Sequence, residues 1–377
     1  MGNTESEHKR SKKSVESKKQ FIESRFAIYY NELIEKYNKL DADSFTKIFG
    51  DELCNALWNY YSSPSEDSIS LNTFVNKTEP LFETDHKIWV EIFQEPEEFI
   101  KACFLAGGIE ERKDDEIFKD SIIGNMKKDG IYKFIQNECP RLFDGIREHV
   151  ICSLTKTPKI VQEYTSSILT PFQMLFIKAS LNPVIYHNKE GKHNHNKWTK
   201  LFDSSSHGVS INRFETHVYD YKKPTVTIFK LTNDQIIVIA LDEEWKNSTN
   251  TYGGNNTSII QLKPKFERED KSGGFRCNLK LKSAPMGISF GKALKIDKDF
   301  SNVHDIEVWG CGGEDDLVSQ MKQKNWYKKE AEKRSKVPLP GAWDENPDKM
   351  ILEMGGVKLN NERRDFDRPD DTIARKF

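Results

Sequence analysis

Apolar residues recur through the first part of the chain at steps of three and four. Phe21, Ile22, Phe26, Tyr29, Leu33 and Tyr37 share one helical face, and Asp51–Trp58 continues the style after the stop signal Gly50. The same spacing returns in Phe99–Leu105, Ile131–Ile135 and Leu142–Leu154, so a helical region is expected over 20–156. From Pro171 the period changes. Pro171–Leu181 reads as a short helix with Phe172, Leu175, Phe176 and Ala179 on one face, its proline harmless at the helix start. Ser210 reads as the N-cap of a helix over Ile211–Tyr219. Short β-branched runs then dominate. Thr225–Phe229 and Ile236–Leu241 form a hairpin through an Asn233-Asp234 turn, followed by strands over Thr257–Leu262, Phe275–Leu281 and His304–Val308. Such strands, with helices at the edges, predict a two-sheet antiparallel sandwich.

Two further segments refine this division. Ser62–Thr73 lies between helices and carries Ile69 at the eighth place, as an EF-hand loop does. Calcium requires oxygen ligands at places one, three and five, a glycine at six and a bidentate glutamate at twelve. Ser62, Pro64, Glu66, Asp67 and Thr73 stand there instead, so the expectation is an EF-hand-like helix pair that serves packing and not calcium. After 313 the chain is strongly charged and helix-prone, with Leu317, Met321, Trp326 and Tyr327 as its few apolar anchors. The expected fold class is therefore α+β: a basic leader over 1–19, a helical region over 20–156, a sandwich over 157–313 and a helical tail over 314–377.

The chain has 377 residues, enough for two domains of the usual size. Its 57 Lys and Arg residues against 59 Asp and Glu are mixed along most of its length, which argues against general nucleic-acid binding. The longest apolar run, Ile236–Leu241, is strand length and far short of a bilayer span. Six cysteines with no CxxC spacing, and no signal peptide, predict free thiols in a reducing compartment.

The first residues, Met1-Gly2-Asn3-Thr4-Glu5-Ser6, fit the pattern for myristoylation of Gly2. A single myristoyl chain holds a protein to a membrane only marginally; a basic patch adds about 1 kcal/mol per residue near an anionic leaflet. Lys9, Arg10, Lys12, Lys13, Lys18 and Lys19 supply that patch, so the amino terminus reads as a membrane address on an anionic surface.

Reaction chemistry finds little support. Ser204, Ser205 and Ser206 sit beside His207, with Glu307 the best-placed acid, yet adjacent side chains diverge and no G-x-S-x-G elbow is present. Ser204–Gly208 reads as a tight turn before a helix, and Glu307 as a buried hydrogen-bonded or ion-paired residue. His187, His193 and His195 share a loop without the cysteine or carboxylate partners of a metal site. The expectation is no enzyme, no cofactor and no metal.

The opening motif WTKLFDSSSHGVS (Trp198–Ser210) and the closing motif DIEVWGCGG (Asp305–Gly313) resemble those of the TLDc domain family. Trp198, Leu201, Phe202, Ser204 and Gly208 fit the first; Pro224 and Trp245 fit the middle; Glu307, Trp309 and Gly310 fit the last. Ser283, Pro285, Phe290 and Gly291 match a small-residue turn before the closing strand, whereas 266–275 reads as shortened, without the family's extra strand. The order of lipidation site, EF-hand-like region, sandwich and polar tail is similar to the myristoylated, TOR-associated branch. That resemblance implies a non-catalytic regulator on the cytoplasmic face of lysosomal or vacuolar membranes and partly in the cytosol. It implies binding to the peripheral sector of the vacuolar proton-pumping ATPase, with links to TOR-pathway proteins and to oxidative-stress resistance. The alternatives are an oxidation-resistance protein acting through Cys277 or Cys311, and a general membrane signalling scaffold.

Overall fold

Helix boundaries in the first half of the chain follow local capping chemistry. A computed structural model of the chain describes residues 25–63, 67–84, 86–158, 166–186, 198–270, 274–291, 294–335, 351–352 and 354–356. Helix α1 covers 25–37, and α2 (Ala42–Phe49) starts at a capping box in which Asp41 accepts from the Ser44 amide while Ser44 accepts from the Asp41 amide. Helix α3 (Asp51–Tyr61) begins directly after Gly50. Helix α4 (Leu71–Phe82) is capped by Ser70, and α5 (Lys87–Ile92) leads to α6 (Pro96–Gly107), which opens on proline and closes on left-handed Gly108. Helices α7 (Glu116–Asp129), α8 (Ile131–Asn137) and α9 (Leu142–Thr155) complete the layer. The interhelical loops that follow α1 and α3 are tied together where the Ile69 amide donates to the Leu40 carbonyl at 2.9 Å. Loop places 64–66 and the leader over 1–19 lie outside the described residues.

Helix α10 (Pro171–Ser180) carries a second capping box, Thr170 with Gln173, and is followed by the short α11 (Pro183–Tyr186). Then come strand β1 (Thr199–Asp203), helices α12 (Ser204–His207) and α13 (Ile211–Val218), and strands β2 (Thr225–Leu231), β3 (Ile236–Leu241), β4 (Ser258–Lys263) and β5 (Glu267–Asp270). Strands β6 (Phe275–Asn278), β7 (Gly287–Phe290), β8 (Leu294–Ile296) and β9 (Val303–Gly310) close the domain. Pairing is antiparallel in both sheets. One has six strands in the order β1-β9-β2-β3-β4-β5, the other three in the order β6-β7-β8.

Strand β3 reveals the layering. All six of its residues are buried, so its sheet is covered on both faces. Ile236, Val238 and Ala240 join a core that runs through the helical layer, while Ile237, Ile239 and Leu241 join a second core with β6, β7, β8 and α13. The six-stranded sheet is thus a shared wall, with helices on one side and the small sheet on the other. The loop residue Phe266, 1% exposed, reaches into the helical side, where its ring meets Phe118, Phe134 and Phe176 at centroid distances of 5.8, 6.0 and 5.9 Å. On the opposite face, Trp245 stands edge-on to Phe214 and Phe275, its indole N–H donating to Thr225.

The mixed class and the two antiparallel sheets agree with the sequence reading, but two local expectations do not. The segment 266–275, read as shortened, contains strand β5, whose charged residues Glu267, Arg268, Glu269 and Asp270 are compatible with an edge position open to solvent. Phe290, read as part of a turn, lies in β7 at the middle of the small sheet. Ser210 stands at the N-cap of α13 without a side-chain cap bond. The three-histidine loop 187–195 lies outside the described residues. The chain divides into two compact units, Met1–Val318 and Ser319–Phe377. Helix α14 (Glu314–Ser335) contains Met321, Trp326 and Tyr327, all exposed.

Because Phe266 is buried among three aromatic rings, Phe266→Ala should destabilise the first unit by about 3–5 kcal/mol. Chemical denaturation of the full chain measures this, and Phe266→Leu should cost clearly less, since it leaves a smaller void.

Candidate functional site

The opening and closing motifs are two halves of one structure. Strands β1 and β9 lie side by side, with Thr199 opposite Gly310, Lys200 opposite Trp309, Phe202 opposite Val308 and Asp203 opposite Glu307. The register shifts between Lys200 and Phe202, which marks a β-bulge. Its effect is specific. In a regular strand, residues three apart point to opposite faces. Here Leu201 and Phe202 both enter the core between the sheets, and Lys200 and Asp203 both turn to the helical side, where Glu307 lies.

Glu307 is fully buried, and its carboxylate is well supplied with donors. Lys200 Nζ lies 2.7 Å from Oε1 and also 2.9 Å from Asp203 Oδ2. The Ser167 amide donates to Oε1 at 3.2 Å, and the Ser166 hydroxyl donates to Oε2. Ser167 Oγ also reaches Asp203 at 3.3 Å. Ser166 Oγ in turn accepts from the amides of Ile168 and Leu169, at 3.2 and 3.0 Å. The strap 166–170 is therefore fastened to the sheet, and at its end Thr170 caps α10 and donates its hydroxyl to buried Asp115 on the helical side. An ion pair taken out of water survives only where such extra hydrogen bonds satisfy the remaining lone pairs.

Burial by itself would raise the Asp203 carboxyl, but bonds from Ser205 and Lys200 outweigh it and lower it to about 2. Burial would lower the Lys200 ammonium, but bonds to Glu307 and Asp203 prevail and raise it. Lys200 also lies 5.0 Å above the Trp309 ring, and Lys178 lies 5.0 Å above Trp198. Trp198 donates its indole N–H to the Tyr186 carbonyl at 2.8 Å. Gly310 has no room for a side chain, because a Cβ there would meet the Tyr221 ring at 2.6 Å.

The serines and histidine of the opening motif serve the backbone. Asp203 caps α12, accepting from the Ser205 amide and hydroxyl at 2.9 and 2.6 Å. Ser204 Oγ accepts from the Ile306 amide at 3.0 Å, tying α12 to β9. Gly208 ends that turn with φ +72°, a conformation that glycine adopts without strain. His207 Nδ1 lies 3.0 Å from the Asp203 carbonyl, and its ring stacks on Phe202 and lies against His217. Ser204 and His207 thus turn to different partners, and Glu307 is committed to Lys200. Cys277 and Cys311 are buried; burial raises the Cys277 thiol to about 12 and raises that of Cys311 as well. The thiol form, and not the nucleophilic thiolate, prevails there at neutral pH.

Residues 163–307 match the protein family described as TLDc domain. The chain carries that domain. A relative named restriction of telomere capping protein 5, from Zygosaccharomyces rouxii, is 26% identical over 210 residues, covering 42% of this chain and 37% of that protein. The protein of the same name from Candida glabrata is 26% identical over 212 residues, covering 42% of this chain and 38% of its own. The Neurospora crassa protein is 34% identical over a shorter 108 residues, 28% of this chain and 18% of its own. The matches therefore span less than two fifths of those relatives' length.

Trp198, Leu201, Phe202, Ser204, Gly208, Trp245 and Glu307, within the matched residues, and Trp309 and Gly310, just after them, sit in strands, turns and core contacts. The sequence reading passed over Lys200, Asp203, Ser166 and Ser167, which complete the Glu307 cluster. Strict alternation places Lys200 and Asp203 on opposite faces, and only the bulge reunites them. Gly2 and the basic residues Lys9, Arg10, Lys12, Lys13, Lys18 and Lys19 lie outside the described residues.

Glu307→Ala, which strips Lys200 and the strap of their shared acceptor, should destabilise the domain by about 3–5 kcal/mol. The lowered Asp203 acid stabilises the fold above its unfolded value near ~3.9, and that contribution is lost as pH falls through about 2. Acid titration of folded stability should accordingly steepen below pH ~4, and Asp203→Asn should flatten that limb.

Proposed function

We propose that this chain is a membrane-tethered TLDc regulator that works by binding and not by catalysis. The observation that carries this reading is the use of the motif side chains. The family match covers 163–307, and within it Lys200, Asp203, Ser204 and Glu307 are spent on fastening strap, turn and strands. A domain that invests its motif residues in rigidity offers its surface to a partner. The partner proposed is the peripheral sector of the vacuolar proton-pumping ATPase, at the cytoplasmic face of lysosomal or vacuolar membranes, with effects on TOR signalling and stress resistance. Gly2 lipidation and the basic run Lys9–Lys19 would deliver the domain there, since a lipid chain and a polybasic patch together hold what either alone does not. The EF-hand-like helix pair would be a packing element, and the polar tail a further partner contact. Buried, protonated Cys277 and Cys311 weigh against the reading in which cysteine chemistry is the activity.

A second reading rests on the name of the curated relatives and connects the chain to restriction of telomere capping. The two separate in one experiment. Affinity capture of the full chain from solubilised membranes should recover pump subunits, and Gly2→Ala should shift the chain to the soluble fraction and reduce that recovery. Capture that returns no pump subunits from the wild-type chain rejects the pump assignment. A Gly2→Ala chain that stays membrane-bound rejects the lipid address.

A further inference from the structure

The free edge of the six-stranded sheet is finished in an unusual way. Strand β5 is outermost, and its outward backbone groups require partners. The helical layer partners one of them with a side chain: Glu138, just after α8, accepts from the Arg268 amide at 2.5 Å, and beside it Asn125 of α7 donates at 2.9 Å to the carbonyl of Phe266, the loop residue just before β5. Side chains occupy less space than a seventh strand. Between α7, α8 and β5 they leave a cavity of about 350 Å³, within the size range of small-ligand pockets.

The lining is chemically uneven. Phe134 and Phe266, both buried, contribute aromatic rings, and Asn137 and Gln261 contribute amides. Asp129, Glu138, Glu267 and Glu269 face it with only Lys265 and Arg268 as cations. Both cations are already engaged. Lys265 pairs with Glu267 at 2.6 Å, and the Arg268 guanidinium grips Asp270, outside the lining, with bonds of 3.0 and 2.9 Å. Asp129 is exposed at the rim and has no ion pair among the described residues. Glu138 uses one carboxylate oxygen on the Arg268 amide. Burial, together with the Glu267 charge, raises the Glu138 acid, although the Arg268 amide bond and the Arg268 and Lys265 charges act to lower it.

We propose that this cavity binds an organic cation with an apolar stem, an alkylguanidinium or alkylammonium group. The head lies between Glu138 and Asp129, and the stem lies against Phe134 and Phe266. Carboxylates satisfy the head by charge-assisted hydrogen bonds, aromatic faces attract it further, and the apolar floor selects against bare inorganic cations. A free small molecule and an arginine or lysine side chain of a partner peptide present the same group. The proposal stands apart from the membrane and pump reading and does not require it.

Isothermal titration of the full chain tests it with three probes: agmatine, an acetylated arginine-containing tetrapeptide amide, and the same peptide with norleucine for arginine. Saturable binding of agmatine or of the arginine peptide, with a dissociation constant of about 1 mM or tighter, is expected, and norleucine should abolish it. Preference for agmatine identifies a small-molecule site, and preference for the peptide a side-chain pocket. Glu138→Gln keeps an acceptor for the Arg268 amide and should weaken binding at least ~10-fold through loss of the charge-assisted bond. Asp129→Asn, at an exposed position, should weaken it with an unchanged thermal midpoint. The proposal is overturned if neither cation binds saturably, if the norleucine peptide binds as well as the arginine one, or if folded Asp129→Asn and Glu138→Gln chains bind like wild type.

Discussion

A single irregularity in β1 sets up the contact on which the junction between sheet and helices depends. The bulge at Lys200–Phe202 turns Lys200 and Asp203 to the same side, opposite Glu307 on the neighbouring strand. A buried carboxylate without partners is costly. Here the lysine and two strap serines share the work of satisfying it, and in doing so they fix the segment that leads into the helical layer. The charge is thus a fastening. Its desolvation cost is offset only when strand, bulge and strap are all in place, which makes the arrangement all-or-none.

The layers on either side of the sheet follow from ordinary alternation. β3 sends successive residues to opposite cores, and the helical side adds aromatic packing such as Phe104 on Phe172, with ring centroids 4.1 Å apart. The sheet side adds Trp245, Phe214 and Phe275. One wall therefore serves two cores, and neither side can be repacked without the strands between them registering the change.

Much of this was legible in the sequence because it is written in period. The helical face from Phe26 to Tyr37, the β2–β3 hairpin and the Pro171 helix start all follow from spacing and caps. The pairing of the two tryptophan-bearing motifs was not read from the sequence, since a contact spanning a hundred residues leaves no local trace. Strand β5 was missed because its residues, Glu267 to Asp270, are all charged and lack the β-branched or aromatic signature of a strand. Phe290 was misread because small residues on either side look like a turn. The Glu307 cluster was half seen: burial of the acid was inferred, but its partner lysine was hidden by a bulge that no periodicity rule anticipates.

The position of β9 in the sheet has a consequence for how the chain acquires its structure. It is the last strand of the domain in sequence, yet it lies inside the sheet, second in the order, between β1 and β2. During synthesis, the helices and the hairpin can form as they emerge, but the sheet stays split until residues 303–310 arrive. Until then β1 has no neighbour and β2 shows one open side. Closure depends on contacts of high sequence separation, which form slowly. The nascent domain therefore passes through an interval with unpaired strand edges on β1 and β2, open until β9 arrives to occupy them.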